Sequence, residues 1–313
     1  MPAWLEQLRR GASDRPLLGT AELHRLARLA EQPGPPERGG AQPGGERLSP
    51  LRGHGLDFQE LRRYQAGDDV RAMDWRTTAR TGRPHVRVYH QEPRPSLYLL
   101  VDLGARMRFG TRVRLKAAQA ARVAVYQALR TVRDGGAVGA ALLGEPPRFW
   151  PVRGGRVHAM ALTRALAAPC PPPDGFMTTE PDRALGMLRR LPVGTEVLIL
   201  SDLHWLDSAR AGLLGGLVAA GRPVQAVCIT DAAERTLPPL GRAPFSVPGA
   251  EGALWVDTTR PGVRAAFDAH AMARVASLRR LLTGAGVRFT ELGAETPAAV
   301  WTRSLGKGLP GRG

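Results

Sequence analysis

Apolar positions in the carboxyl-terminal two thirds of this chain alternate between two spacings. Continuous apolar runs at 96–102 (SLYLLVD), 136–143, 196–203 (EVLILSDL), 223–230 (PVQAVCIT) and 287–292 are short and rich in Val, Leu and Ile, and read as buried strands. Between them apolar residues recur every three or four positions, as at Leu115, Ala118, Ala121, Ala124, Val125 and Leu129. That spacing predicts helices over 111–133, 156–167, 181–191, 208–220 and 263–283. A strand at 149–152 can pair with the second run as a hairpin, and two short strands fit 245–247 and 253–256 in a segment rich in Pro and Gly. Repeated strand, helix, strand units with apolar strands predict an α/β fold, a mostly parallel sheet with helices on both faces.

The first third is organised differently. Thr20 can cap a helix with Leu23, Leu26, Ala27 and Ala30 on one face, so residues 1–32 read as an amphipathic helical segment. Residues 33–47 are Pro, Gly and charge with little to bury, a flexible linker, and the ordered body is expected from near Leu48. Then charge becomes dense. Asp57, Glu60, Asp68, Asp69 and Asp74 alternate with Arg62, Arg63, Arg71, Arg76, Arg80, Arg83 and Arg87 around Phe58, Leu61, Tyr64, Val70, Met73 and Trp75. A solvated charge run keeps one sign or spaces its signs at helical intervals, whereas buried charges must be paired. The alternation therefore predicts an ion-pair network that clamps a small subdomain, 48–95, against a larger domain, 96–303, with a tail at 304–313.

Composition narrows the function classes. At 313 residues and 43% hydrophobic the chain can bury a sizeable core. Its longest weakly charged apolar stretch, 211–221, is about half the length of a membrane span, and no basic-then-apolar leader opens the chain, which places it in the cytoplasm without membrane insertion. Cys170 and Cys228 cannot make a disulfide framework. The net charge of +16 suggests nucleic acid, but Lys occurs only at 116 and 307, an Arg-for-Lys bias typical of GC-rich coding, so the charge is discounted. Phosphate-loop, His-Glu-x-x-His and Gly-x-Ser-x-Gly motifs are absent, and the seven histidines are dispersed. His204 sits just after Asp202 and reads as a surface or satisfied histidine. An enzyme is not expected.

In an open parallel sheet, functional groups collect beyond the carboxyl ends of the strands, which brings Asp102, Asp202 and Asp231 to one edge. Any one of them also suits the cap of the following helix or turn.

The segment from Gly55 to Arg87 resembles bacterial domain-of-unknown-function family 58, whose members carry a DFxExRxYxxGDDxRxIDWxxTAR signature. Asp57, Phe58, Glu60, Arg62, Tyr64, Gly67, Asp68, Asp69, Arg71, Asp74, Trp75, Thr78, Ala79 and Arg80 match it, with Met73 for the usual Ile. The resemblance implies a von Willebrand A-like (Rossmann-like) domain preceded by a small amino-terminal subdomain. Such domains hold a divalent cation through an Asp-x-Ser-x-Ser loop, a Thr and a further Asp. Asp102 and Asp202 match the acids, and Thr178 or Thr179 the threonine, but Gly104 and Arg106 replace the serines. Glycine supplies no side-chain ligand and a guanidinium only donates. A cation about 4 Å from a divalent ion is repelled by about 8 kcal/mol at an effective dielectric of 20.

No metal or other cofactor is therefore expected beyond weak magnesium binding at Asp102 and Asp202, and Arg106 is expected to pair with Asp102 or Asp202 in the cation's place. The resemblance also implies a partner, a MoxR-type AAA+ ATPase acting on client proteins. The resulting expectation is a non-enzymatic adaptor that docks its partner through Asp102, Gly104, Arg106, Thr178, Thr179 and Asp202. Alternatives from other classes are non-specific nucleic-acid binding through the arginine excess and a metal-dependent hydrolase using Asp68, Asp69 and Asp74.

Overall fold

The computed structural model describes residues 16–32, 57–66, 68–90, 95–144, 146–169, 181–246 and 253–305, with 57–61, 87–90, 246 and 304 described by backbone alone. They fall into two units, Arg38–Arg94 and the combination of Met1–Glu37 with Pro95–Gly313. In chain order the first elements are α1 (Thr20–Glu31), β1 (Asp57–Arg63), α2 (Trp75–Thr81) and β2 (His85–His90). Then come β3 (Ser96–Asp102), α3 (Lys116–Arg133), β4 (Ala137–Leu143), β5 (Arg148–Gly154), α4 (Arg156–Ala167), α5 (Asp182–Leu188) and β6 (Glu196–Ser201). The last are α6 (Ser208–Ala219), β7 (Val224–Thr230), α7 (Ala232–Arg235), β8 (Arg242–Ser246), β9 (Ala253–Asp257), α8 (Pro261–Gly284), β10 (Arg288–Gly293) and α9 (Ala298–Leu305).

The larger unit is built on a six-stranded sheet in the order β10-β7-β6-β3-β4-β5, parallel except for β5, which pairs antiparallel with β4 at the edge. A mixed α/β fold with a mostly parallel central sheet and helices on both faces is what the apolar runs predicted. Alternate residues of β3 feed opposite cores, because successive side chains of a strand point to opposite faces. Leu97, Leu99 and Val101 pack with α1, α3, α4 and α9, whereas Tyr98 and Leu100 pack with α5, α6 and the end of α8. The expected strands 245–247 and 253–256 form β8 and β9, which pair with each other as a separate ribbon. The β4 to β5 register breaks between Val138 and Ala140, where a Cβ on Gly139 would come within 2.9 Å of Tyr98 and of the Val152 backbone nitrogen. Glycine is required there by close approach.

Helix α3 is covered on more than one side, with buried residues around most of its circumference from Lys116 to Ala128. Its alanines let α1 and α4 pack closely on it, and its buried polar residues Lys116, Gln119 and Arg122 are each hydrogen-bonded. The ordered body therefore starts earlier than the expected Leu48: Leu26 of α1 is 0% exposed within this core. The N-cap of α1 is Gly19, with Thr20 the first helical residue and no side-chain cap. Two arginines of α3 hold the helix instead. Arg122 Nε donates to Glu22 at 2.6 Å, and Arg133 donates to the carbonyls of Ala30 and Gln32 at its end. Helix α9, for which the apolar spacing gave no expectation, buries Trp301 edge-on against Tyr126 at 5.4 Å, with the Arg122 guanidinium 5.9 Å from the Trp301 ring.

In the smaller unit β1 and β2 pair antiparallel, and the acids of the charged segment close its turns. Asp69 accepts from the Arg71 amide at 2.9 Å to cap a 3-10 turn, Asp74 accepts from the Thr77 amide at 2.9 Å to cap α2, and Gly82 ends α2 at φ 68°. Asp68 accepts from the Arg62 guanidinium and from the Gln65 amide, both at 2.8 Å. The apolar centre differs from the expectation: Val86 is buried and Met73 half-buried, but Val70 and Trp75 are exposed.

Leu26→Ala should destabilise the chain by about 2–5 kcal/mol, the range for deleting a buried leucine. Urea unfolding of the full chain measures this. A loss under about 0.5 kcal/mol, the surface range, would detach α1 from the core.

Candidate functional site

After β3 the chain crosses into α3 on one face of the sheet, and after β6 into α6 on the other. This divergence opens a crevice between the carboxyl ends of β3 and β6, where parallel-sheet proteins place their sites. Asp102 ends β3 and Asp202 follows β6, and both are buried.

Asp102 organises a turn. One carboxylate oxygen accepts from the Gly104 amide at 2.9 Å and the other from the Ser201 hydroxyl at 2.7 Å. Ser201 Oγ in turn accepts from the Leu203 amide and the Trp205 indole, each at 3.0 Å. This web holds Leu203 at φ 56°, the one non-glycine residue in the left-handed region among the described residues.

Asp202 anchors an ion cluster. Its Oδ2 lies 3.0 Å from Lys116 Nζ, its Oδ1 accepts from the His204 amide at 3.1 Å, and its carbonyl accepts from Arg274 at 2.7 Å. Lys116 is 0% exposed and donates a second bond, 2.6 Å, to Glu234 Oε1. The other Glu234 oxygen accepts from the Asp231 amide at 3.0 Å, completing a capping box in which Asp231 starts α7. Lys116 opens α3, where the helix dipole disfavours a cation, so the two carboxylates must offset both that and the loss of water. Arg106 reaches Asp202 more loosely, with Nε 3.6 Å from Oδ2, and its Nη2 lies 2.7 Å from His204 Nε2.

These contacts set the charge states. Burial alone would raise the Asp202 carboxyl, but Lys116 and the neighbouring donors outweigh it and hold the group below its ordinary range. Burial likewise works against Asp231, which its bonds from Thr111 and Ala233 keep low. Partial desolvation, helped by Arg274, Arg106 and Lys116, brings His204 down to about 4 against the pull of Asp202. A guanidinium only donates, so His204 is neutral with Nε2 as acceptor. Burial pushes the Cys228 thiol, beneath the Asp202 carbonyl, up to about 12.

The donor set does not suit a divalent cation. Both Asp102 oxygens face hydrogen donors, an ammonium stands on Asp202, and among the described residues no group of three His, Cys, Asp or Glu could hold a metal ion.

Of the residues singled out in the sequence, Asp102, Gly104, Arg106 and Asp202 meet here, Gly104 through its backbone amide. Thr178 and Thr179 lie outside the described residues, as do Gly67 and the side chains of Asp57 and Glu60. Arg62, Tyr64, Asp68, Asp69, Arg71, Asp74, Trp75 and Arg80 belong to the other unit. The cation's place, expected for Arg106, is taken mainly by Lys116; Ser201 and Glu234 were also missed. The available signal was that Lys116 is one of two lysines in a chain otherwise basic through arginine. The rim of the crevice is the loop between β3 and α3, which exposes Arg106, Phe109, Arg112 and Val113.

Residues 60–277 match the family described as Protein of unknown function DUF58, and the chain belongs to it. It is 30% identical over 264 residues to an uncharacterised protein of Mycobacterium tuberculosis (Rv1480) and to its Mycobacterium bovis counterpart (Mb1516), covering 79% of this chain and 78% of each relative. Among solved structures it is similar to the conserved hypothetical protein BatB from Bacteroides thetaiotaomicron, with 13% identity, 64% of this chain and 90% of that chain covered, and a TM-score of 0.41. An aerotolerance-related membrane protein from Bacteroides fragilis gives 12%, 67%, 96% and 0.42.

Lys116→Met should cost about 3–5 kcal/mol at neutral pH, because it leaves Asp202 buried without its main counter-ion. The pH dependence should also change sign. In the natural chain the folded Asp202 titrates below its free value of 3.8, so its contribution is present above that pH and lost as pH falls through the lower folded value. In the variant burial dominates and raises Asp202, so stability should increase as pH falls from neutral toward 3.8. Urea unfolding across that range reads both effects; parallel pH profiles would refute the assignment.

Proposed function

We propose that the chain is a non-enzymatic protein-interaction adaptor whose docking face is the strand-end crevice and its rim. The observation that supports this is the Lys116 ammonium, wholly buried between Asp202 and Glu234, which fills the place where an ion or small substrate would sit. What remains outside is a surface with Arg106 and Arg112 for charge and Phe109 and Val113 for apolar contact, a combination suited to a protein partner.

The chemistry nearby supports the same reading. Ser201 donates to the Asp102 carboxylate, His204 accepts from a guanidinium, and the Cys228 thiol is buried and protonated. None of them is a nucleophile activated by a base. On this reading the protein is not an enzyme, needs no metal, and works in the cytoplasm with a MoxR-type AAA+ ATPase on client proteins. The family resemblance supplies that partner. No helix among the described residues is long and apolar enough to cross a membrane.

Two measurements bear on this. Co-purification with a MoxR-type ATPase of the same organism should weaken about tenfold or more on Arg106→Glu or Phe109→Ala, with thermal melting of each variant reading whether the fold is kept; unaltered association removes this face from the reading. Magnesium titration calorimetry should show no tight site, and micromolar binding abolished by Asp102→Ala would overturn metal independence.

A further inference from the structure

Helix α2 is built inside out. Trp75, Arg76, Ala79 and Arg80 are exposed, whereas Thr77 and Thr78 are half-buried on the other side, where Thr78 Oγ1 accepts from the His85 amide of β2 at 3.0 Å. Spacings of one and four residues put these four positions on one helical face, while Thr81, exposed at the helix end, lies on the side of the other threonines. A short helix that served only to cover a hairpin would turn its tryptophan inward, because that side chain carries the largest apolar area available to it. Here Trp75 is 65% exposed and Val70, on the preceding turn, 52%.

Among the described side chains, free charge around this face is one-sided. Each acid of the unit whose side chain is described bonds a local donor: Asp68 takes Arg62 and Gln65, Asp69 caps the 3-10 turn, and Asp74 caps the start of α2. Arg63, Arg71, Arg76, Arg80 and Arg83 are exposed, and none forms an ion pair with a described residue. Arg76 and Arg80 stand one turn apart, a like-charge spacing that slightly destabilises a helix. The unit thus keeps outside a tryptophan and arginines that have no ion-pair partner among the described residues, at a small cost to itself. Tryptophan and arginine are the residues that dominate protein interface energies.

We propose that the outer face of α2 is a second docking surface, and that its occupant is an acidic segment of a partner protein with an apolar side chain to cover Trp75. Charge complementarity selects the acidic partner, and a tryptophan with no ring contact among the described residues selects protein over single-stranded nucleic acid, which needs successive aromatic platforms for successive bases. The proposal is independent of the strand-end crevice, which lies in the other unit.

The test uses the full chain and three dye-labelled probes read by fluorescence anisotropy: a peptide of alternating glutamate and leucine, its glutamine counterpart, and oligouridine of similar length. The acidic peptide should bind, the glutamine peptide should bind about tenfold more weakly or worse, and added salt should weaken the acidic complex. Trp75→Ala and the double change Arg76→Glu, Arg80→Glu should each weaken it about tenfold or more. All these positions are exposed, so thermal melting should stay close to the natural value. Arg106→Glu should leave peptide binding unchanged. No binding of the acidic peptide, binding indifferent to Trp75 and to the arginine pair, loss on Arg106→Glu alone, or tighter binding of oligouridine would each overturn the proposal.

Discussion

The bond between the Lys116 ammonium and the Asp202 carboxylate is the constraint around which the larger unit is arranged. It joins the first residue of the central helix to the end of a central strand, 86 positions later in the chain. Removing both charges from water costs several kcal/mol for each, so the pair persists only because their other bonding positions are filled. Glu234 takes a second Lys116 proton, the His204 amide takes the second Asp202 oxygen, and Arg274 takes the Asp202 carbonyl. Through these bonds β6, α3, α7 and α8 are all referred to one point. Asp102, at the end of the neighbouring strand, performs a different task with the same chemistry, closing a turn through Ser201 and Gly104.

That division of labour explains why the carboxyl edge reads as a site in the sequence and as a surface in the structure. Three acids do collect there. Asp231 caps a helix, Asp102 shapes a turn and Asp202 neutralises a buried cation. The chemistry open to solvent belongs to the loop above them, where arginines and Phe109 face outward.

Much of the fold could be read from periodicity alone. The strand expected at 96–102 and the helix expected at 156–167 coincide with β3 and α4 end for end. Strand assignments were reliable because a doubly covered parallel strand must be apolar at every position, a pattern that few other segments share. Helix starts were less legible. The expected helix from 111 begins only at Lys116, because residues before it form a loop whose Phe109 carbonyl accepts the Lys116 amide, and apolar spacing does not register such a bond. Helix α9 is too short to show a period, although Trp301 makes it part of the core. Trp75, one of the apolar residues among which the charges alternate, lies outside, which hydrophobicity alone does not register. Asp102 and Asp202 could be found at strand ends, whereas Lys116 was marked only by being a rare lysine, since its partners stand 86 and 118 positions away. Arginine would not replace it there: the pocket holds a point charge, and a guanidinium is a planar fork.

Arg122 carries a consequence for the order of events during synthesis. Its guanidinium bonds Glu22 of α1 and lies by the ring of Trp301 in α9, so a single side chain joins segments from near the beginning and the end of the chain. A ribosome adding about 5–20 residues per second needs some tens of seconds to pass from one to the other. Because α3 is complete by Arg133, the leucines of α1 can be received early in that interval, whereas the Arg122 guanidinium gains its Trp301 ring only when the last helix of the core is made.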